Sequence, residues 1–200
     1  MIEHKPWPGS GKKIAGLRIA IVGYSHYYTK KSEECDEFTL DIVKRAVKGE
    51  MKENTFFPAI PKYFGFENDE EHKDFWKRVL FFNFLPRCIG NVNEKHKKAG
   101  KDMTDCAKKR FKQILAEEQP DCVFVFTTKG WKDCPPTLYE EKYNKRPKDL
   151  TDVCTWGQYD CDGHMVTAFG LHHPQGANTE NMKKAVSKAL DKARTLRTRA

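Results

Sequence analysis

The stretch LRIAIVGYSHYYT, residues 17–29, decides the fold class, because it joins a short apolar run to a glycine and a polar, aromatic segment. The run from Leu17 to Val22 is rich in branched apolar residues and is too short for a buried helix, so it predicts a β-strand. A nearly continuous apolar run is typical of a strand that is covered on both faces, as in a parallel sheet. We therefore expect residues 23–29 to form the loop that leaves a buried strand.

The rest of the chain repeats this strand pattern and alternates it with helical patterns. Three further apolar runs predict strands: VLFFNF at 79–84, CVFVFT at 122–127 and MVTAF at 165–169. Helices with one apolar face are predicted at 33–48, 102–118 and 179–196. This alternation predicts a single three-layer α/β/α domain over residues 1–200, with a central, mostly parallel four-stranded sheet.

One long segment, residues 129–163, falls outside this alternation. It is rich in Lys, Pro, Tyr and Trp, and it begins with KGWKDCPP and ends with GQYDCDG. Segments of this length between elements of a compact domain are uncommon and are often functional. Its composition leaves two interpretations open, a binding flap or an excursion that stabilises the domain.

The charge of the chain bears on its partners. It contains 36 Lys and Arg against 28 Asp and Glu, which gives a formal net charge of +8 at pH 7. Such an excess favours a polyanionic partner such as nucleic acid, although basic surfaces also occur without one. No signal-peptide pattern is recognisable, and no apolar run approaches the ~18 residues of a membrane span. We expect a monomeric, cytoplasmic protein that does not bind membranes.

The cysteines give no metal or disulfide motif. There are seven, an odd number, and no two of them form a C-x-x-C pair. This pattern favours buried thiols over a disulfide framework, an iron–sulfur cluster or a zinc ribbon. Cys154, Cys161 and His164 are the nearest approach to a zinc motif, but six residues separate the two thiols and no second pair completes a tetrahedron. We therefore predict neither a metal nor a cofactor.

Three loops are candidates for the functional site. They are GYSHYYT (23–29), NFLPRCIG (83–90) and GLHHPQG (170–176), and each follows a predicted strand. In open parallel sheets, ligands bind where loops leave the carboxyl ends of the strands. If the predicted sheet forms, the three loops converge on one crevice.

The side chains in and near these loops fit a pocket for a planar heterocycle. Phe56 and Phe57 offer aromatic rings for stacking, Asn83 offers both a donor and an acceptor, and His172 and His173 offer imidazole donors. Each residue also has an ordinary structural interpretation. Adjacent phenylalanines are common in cores, and an asparagine at a strand end is often a turn former.

The order of these motifs along the chain resembles that of the uracil-DNA glycosylase superfamily. The resemblance spans about residues 17–176 and rests on GYSHYY (23–28), FF (56–57), VLFFNFLP (79–86) and HHPQG (172–176). It implies a base-excision repair enzyme that flips uracil or another deaminated base out of DNA and hydrolyses the N-glycosidic bond. The resemblance assigns catalytic roles to Ser25, His26 and His173, and base-binding roles to Gly23, Tyr24, Phe57, Asn83 and His172.

The sequence also departs from the family pattern. Ser25 stands where the family often has Asp or Asn to activate water, and Gln175 stands where a Ser usually follows the His-Pro pair. A non-catalytic DNA-binding module of the same fold therefore stays open as the alternative. A serine hydrolase using Ser25 is less favoured, because the G-x-S-x-G elbow is missing. The segment PGSGKK (8–13) lacks both the spacing and the preceding strand of a phosphate-binding P-loop.

Overall fold

The computed structural model describes residues 2–51, 54–93, 99–144 and 148–198 and forms a mixed α/β fold. Its strands are β1 (Ile19–Gly23), β2 (Leu80–Asn83), β3 (Cys122–Val125), β4 (Lys148–Thr151), β5 (Cys154–Cys161) and β6 (His164–Leu171). Its α-helices are α1 (Phe38–Lys48), α2 (Phe56–Tyr63), α3 (Asp69–Arg78), α4 (Lys101–Glu118), α5 (Thr128–Asp133), α6 (Leu138–Tyr143) and α7 (Thr179–Arg197). A short 3₁₀ helix covers Lys31–Glu33.

The six strands form one mixed sheet in the order β2-β1-β3-β6-β5-β4. The four predicted strands are adjacent and parallel to one another, whereas β5 and β4 extend the sheet through antiparallel pairings, β5 with β6 and β4 with β5. The prediction of a four-stranded sheet was therefore wrong in strand number. Both additional strands lie in segment 129–163, where β5 pairs with β6 along its whole length. This part of the chain stabilises the sheet edge.

The helices cover both faces of the sheet. Ile19 and Ile21 of β1 face a core built with α1, α2, α3 and α7, while Ala20 and Val22 face a second core built with α4. This alternation within one strand explains why its sequence is apolar at nearly every position. Helices α2 and α3 were not predicted, although Asn68 and Glu71 form a capping box at the start of α3.

The N-terminal segment lies along the outer edge of β2. Trp7 and Phe81 exchange two backbone hydrogen bonds of 2.8 Å, and the His4 N–H donates to the Pro86 carbonyl at 2.7 Å. The Trp7 indole N–H also donates to the Trp76 carbonyl. Residues 4–7 therefore contribute an antiparallel contact that brings His4 beside the loop that follows β2.

No helix within the described residues combines the length and apolar character needed to cross a bilayer.

Candidate functional site

A cleft of about 480 Å³ lies at the carboxyl ends of β1 and β2, beside the loop that follows β6. Its volume falls in the range of ~300–1,000 Å³ that is typical of small-molecule pockets. The structure brings seven of the eight residues to which the resemblance assigns a role to this cleft: Gly23, Tyr24, Ser25, His26, Phe57, Asn83 and His173. The eighth, His172, lies elsewhere. The three loops therefore meet at one place, as the strand order requires.

Gly23 and Asn83 are directly opposite each other in the register of β1 and β2. A Cβ atom built on Gly23 would overlap the side-chain oxygen of Asn83. Only glycine therefore leaves room for Asn83 in its present position. The Asn83 side chain is 4% exposed, and its amide nitrogen Nδ2 has no hydrogen-bond partner among the described residues.

Arg110 binds the backbone of Asn83. Its Nη1 donates to the Asn83 backbone carbonyl at 3.0 Å, its Nε donates to Glu3 Oε1 at 3.1 Å, and its Nη2 donates to the His4 carbonyl. Burial lowers the pKa of Arg110, and Glu3 opposes that shift. Sequence reasoning missed this residue, because an arginine in a long helix usually indicates a solvated face.

His173 presents a defined hydrogen-bonding pattern to the cleft. The Gln175 backbone N–H donates to His173 Nδ1 at 3.1 Å, so Nδ1 is the acceptor and Nε2 carries the proton of the neutral ring. Although His173 is exposed, the protein around its ring partly desolvates it and lowers its pKa. His173 is therefore a neutral Nε2–H donor near pH 7.

His172 lies against a different cleft. That second cleft, of about 560 Å³, is lined by Trp131, Thr155 and Gly170 among others. The Trp131 ring packs so closely on Gly170 that a Cβ there would overlap it. The adjacent histidines thus serve two clefts, and the structure does not bring His172 to the one that holds Asn83.

The two phenylalanines occupy different environments. Phe57 is 6% exposed and packs against Trp76, with ring centroids 4.8 Å apart, and against Phe81 at 5.6 Å. Phe56 is half-buried, lies within 5.8 Å of the His173 ring, and approaches Gly23. Phe56 thus offers the cleft more accessible ring surface, whereas Phe57 mainly belongs to the core.

Ser25 and His26 form the wall next to β1. The Ser25 hydroxyl lies within donating distance of the His26 carbonyl at 2.9 Å and the Arg87 carbonyl at 3.3 Å. His26 Nε2 lies 3.0 Å from Thr39 Oγ1, and burial, helped by the nearby His4, lowers the His26 pKa to about 3. His26 is therefore neutral at physiological pH. No serine–histidine pair for nucleophilic catalysis forms here among the described residues.

Tyr24 closes the side of the cleft that adjoins α5. Its hydroxyl donates to Asp133 Oδ2 at 2.9 Å, and desolvation together with that carboxylate raises the Tyr24 pKa. The Lys129 ammonium lies 4.6 Å from the centre of the Tyr24 ring and also lines the cleft. Segment 129–163 therefore contributes a cation to the site as well as strands to the sheet.

Comparison with known proteins does not assign the chain to a family. Neither the models of protein families nor the curated proteins contain a match to the chain.

Proposed function

We propose that the protein is a DNA glycosylase-like enzyme that binds an extruded uracil or other deaminated base and hydrolyses its N-glycosidic bond. The observation that carries this proposal is the buried, unpartnered amide of Asn83 in a cleft that also holds the Nε2–H donor of His173. An unsatisfied buried polar group costs roughly 1–3 kcal/mol, so a ligand that pairs with the Asn83 amide nitrogen would remove that cost. A base edge would supply the missing partner.

The side chains around Asn83 suit a planar, polar ligand. Phe56 provides a ring on which a base can stack, and Gly23 leaves the room that the Asn83 side chain itself occupies. The Asn83 amide can donate to a carbonyl of uracil and accept from its ring N–H. Cytosine presents an amino group instead, which leaves polar groups unpaired, and sites of this kind discriminate strongly on that basis.

The chemistry required of the chain is stabilisation of the leaving base. As the bond between C1′ and the base nitrogen breaks, its electron pair moves into the base, and water adds to C1′ with release of a proton to solvent. His173 Nε2–H would donate to the oxygen on which charge develops, a contact that is worth roughly 2.7–4 kcal/mol in other enzymes. Because no carboxylate of the described residues lines the cleft, Ser25 and His26 would position the water without acting as strong bases.

DNA as the macromolecular substrate is favoured by charge. The chain has a net charge of +8, and Lys129 stands at the edge of the cleft. Extrusion of a base from a duplex costs a few kcal/mol, which contacts with the phosphates and the pocket must repay. A net positive charge and a lysine at the edge of a pocket for a base contribute to both needs.

The proposal is tested by incubating the protein with single- and double-stranded oligonucleotides that carry uracil, hypoxanthine or xanthine, followed by alkali to cleave abasic sites. We expect cleavage at uracil and a sharp loss in Asn83→Asp, because the new carboxylate repels an anionic base edge. His172→Ala is the matched control with retained cleavage. Binding without cleavage on any substrate would favour the non-catalytic DNA-binding module.

A further inference from the structure

A buried cluster of three metal-ligating side chains lies behind the wall of the cleft. His4 comes from the N-terminal segment, Glu34 follows the 3₁₀ helix, and Cys88 belongs to the loop after β2. One ligand atom of each lies within 4.8 Å of the other two, and His4 Nε2 lies 3.4 Å from Glu34 Oε1. His4 is 1% exposed and Cys88 is 6% exposed. The cluster is therefore almost closed to solvent.

The burial of His4 is the feature of this cluster that packing alone does not explain. Among the described residues, neither of its ring nitrogens has a hydrogen-bond partner. Glu34 Oε1, although close, does not meet His4 Nε2 in hydrogen-bond geometry and instead accepts the Cys88 backbone N–H at 2.6 Å. A buried imidazole whose nitrogens make no hydrogen bond is costly, since each unpaired polar atom forfeits its contact with water. A bound cation would satisfy one of the two nitrogens, Nε2, which lies nearest to Glu34.

We propose that His4, Glu34 and Cys88 bind a zinc ion. Zinc accepts histidine nitrogen, cysteine sulfur and carboxylate oxygen together, whereas calcium and magnesium select oxygen ligands alone. Tetrahedral bonds of about 2.0–2.1 Å place neighbouring nitrogen and oxygen ligands about 3.3–3.4 Å apart, which matches the distance from His4 Nε2 to Glu34 Oε1. The described part of the chain supplies three ligands, so a water molecule would occupy the fourth position.

Zinc binds histidine as the neutral imidazole and cysteine as the thiolate. Ligation of Cys88, a free cysteine, would therefore release its thiol proton to solvent.

The position of the ion indicates a structural role. It would tie the N-terminal segment to the loop that follows β2, next to the Arg110 contacts that hold Asn83. The His4 ring also packs on His26, with centroids 5.7 Å apart, and is stacked on Phe38 at 5.4 Å. The ion would therefore hold the rear of the cleft in place without touching a ligand inside it. This inference does not depend on the proposed glycosylase activity.

Metal content and spectroscopy test the proposal directly. The full chain is expressed with zinc in the medium, dialysed and analysed for bound metal. We expect about one zinc per chain in the wild type and in Cys161→Ser, a buried free cysteine that lies away from the cluster. Cys88→Ser and Glu34→Gln should lower zinc affinity by at least about tenfold. With cobalt in place of zinc, a thiolate-to-metal absorption band should appear in the wild type and be absent in Cys88→Ser.

Three outcomes would overturn the zinc site. The first is a correctly folded wild type that retains neither zinc nor cobalt, and the second is a Cys88→Ser variant that keeps both the zinc and the thiolate band. If Cys88→Ser does not fold by circular dichroism, Glu34→Gln decides the question. Its amide oxygen can still accept the Cys88 backbone N–H, while the anionic ligand is lost. Undiminished zinc in folded Glu34→Gln would contradict the proposal.

Discussion

Asn83 lies opposite Gly23 in the parallel pairing of β2 with β1, and its side chain occupies the space that a Cβ on Gly23 would fill. The cleft thus depends on the absence of one methyl group. Both residues stand at strand ends, where the last sheet pairing gives way to the loops that line the cleft. The position of the Asn83 amide is consequently set by the sheet.

Gly23→Ala is expected to displace the Asn83 side chain and abolish base recognition. The new methyl group meets Asn83 directly, and overpacking of this kind costs typically 1–3 kcal/mol. Cleavage assays and chemical denaturation should show a large loss of activity with a moderate loss of stability. Gly100→Ala is the matched control, because a Cβ there meets nothing within 4 Å. Wild-type activity in Gly23→Ala would contradict the proposed role of Asn83.

Substitution of the two neighbouring phenylalanines is expected to have different effects, one on the stability of the fold and the other on base binding. Phe57→Ala opens a cavity beside Trp76 and should lower the free energy of unfolding by roughly 3–5 kcal/mol. Phe56→Ala removes a half-buried ring at the cleft and should weaken base binding by roughly 1–3 kcal/mol, the usual value of base–aromatic stacking. Denaturant titrations and binding of uracil-containing single strands measure the two effects. If Phe57→Ala alone impaired binding while remaining stable, the stacking role would return to Phe57.

Binding to DNA should depend on salt, and Lys129 should contribute to that dependence. Each neutralised phosphate releases counterions, so removal of one such contact reduces the slope of log affinity against log salt by about 1. Lys129→Ala is expected to do this, because Lys129 stands at the edge of the cleft. Lys188→Ala, on the exposed face of α7, is the control with an unchanged slope. A flat salt response of the wild type would remove nucleic acid as the partner.

The parallel core of the fold could be predicted because its strands are buried on both faces and therefore read as apolar runs. The two antiparallel strands escaped prediction, since β5 is only partly buried and its alternation is irregular. A signal for them was present in Asp162-Gly163, the pair that joins β5 to β6. Both residues have positive φ, as a two-residue hairpin turn of this type requires.

The candidate site was less predictable than the fold. The expected parallel sheet placed the loops with Gly23, Asn83 and His173 at one edge, but this pattern could not distinguish between adjacent residues in a loop or at a helix start. His172 and His173 differ in which cleft they line, and Phe56 and Phe57 differ in burial. Contacts such as that of Arg110 with Asn83 join residues far apart in sequence, and no local pattern marks them.

The pH dependence of activity and stability should reflect a neutral His173. Desolvation lowers its folded pKa below the ordinary value of 6.5, so the unfolded chain binds the proton more readily. As pH falls from 6.5 toward the lower folded pKa, the free energy of unfolding should decrease in the wild type more than in His173→Gln. Turnover should persist below pH 6.5 and decline only at the lower pKa. A single decline centred above pH 6.5 in the wild type that His173→Gln abolishes would contradict this assignment.

The two histidines of the last loop provide the most direct test of the site. His173→Ala should slow the chemical step by about 10²–10³, the range expected when one donor to a developing oxyanion is lost, while leaving base preference and affinity nearly unchanged. His173→Gln should recover part of the rate, since its amide can donate from a similar position. His172→Ala should have little effect, because His172 faces the other cleft. Single-turnover kinetics on uracil-containing oligonucleotides separate the chemical step from binding and product release.

Two outcomes would contradict this assignment. If His172→Ala caused the loss and His173→Ala did not, His172 would be the donor. If both variants turned over at the wild-type rate, the proposed site would be wrong even with the fold intact.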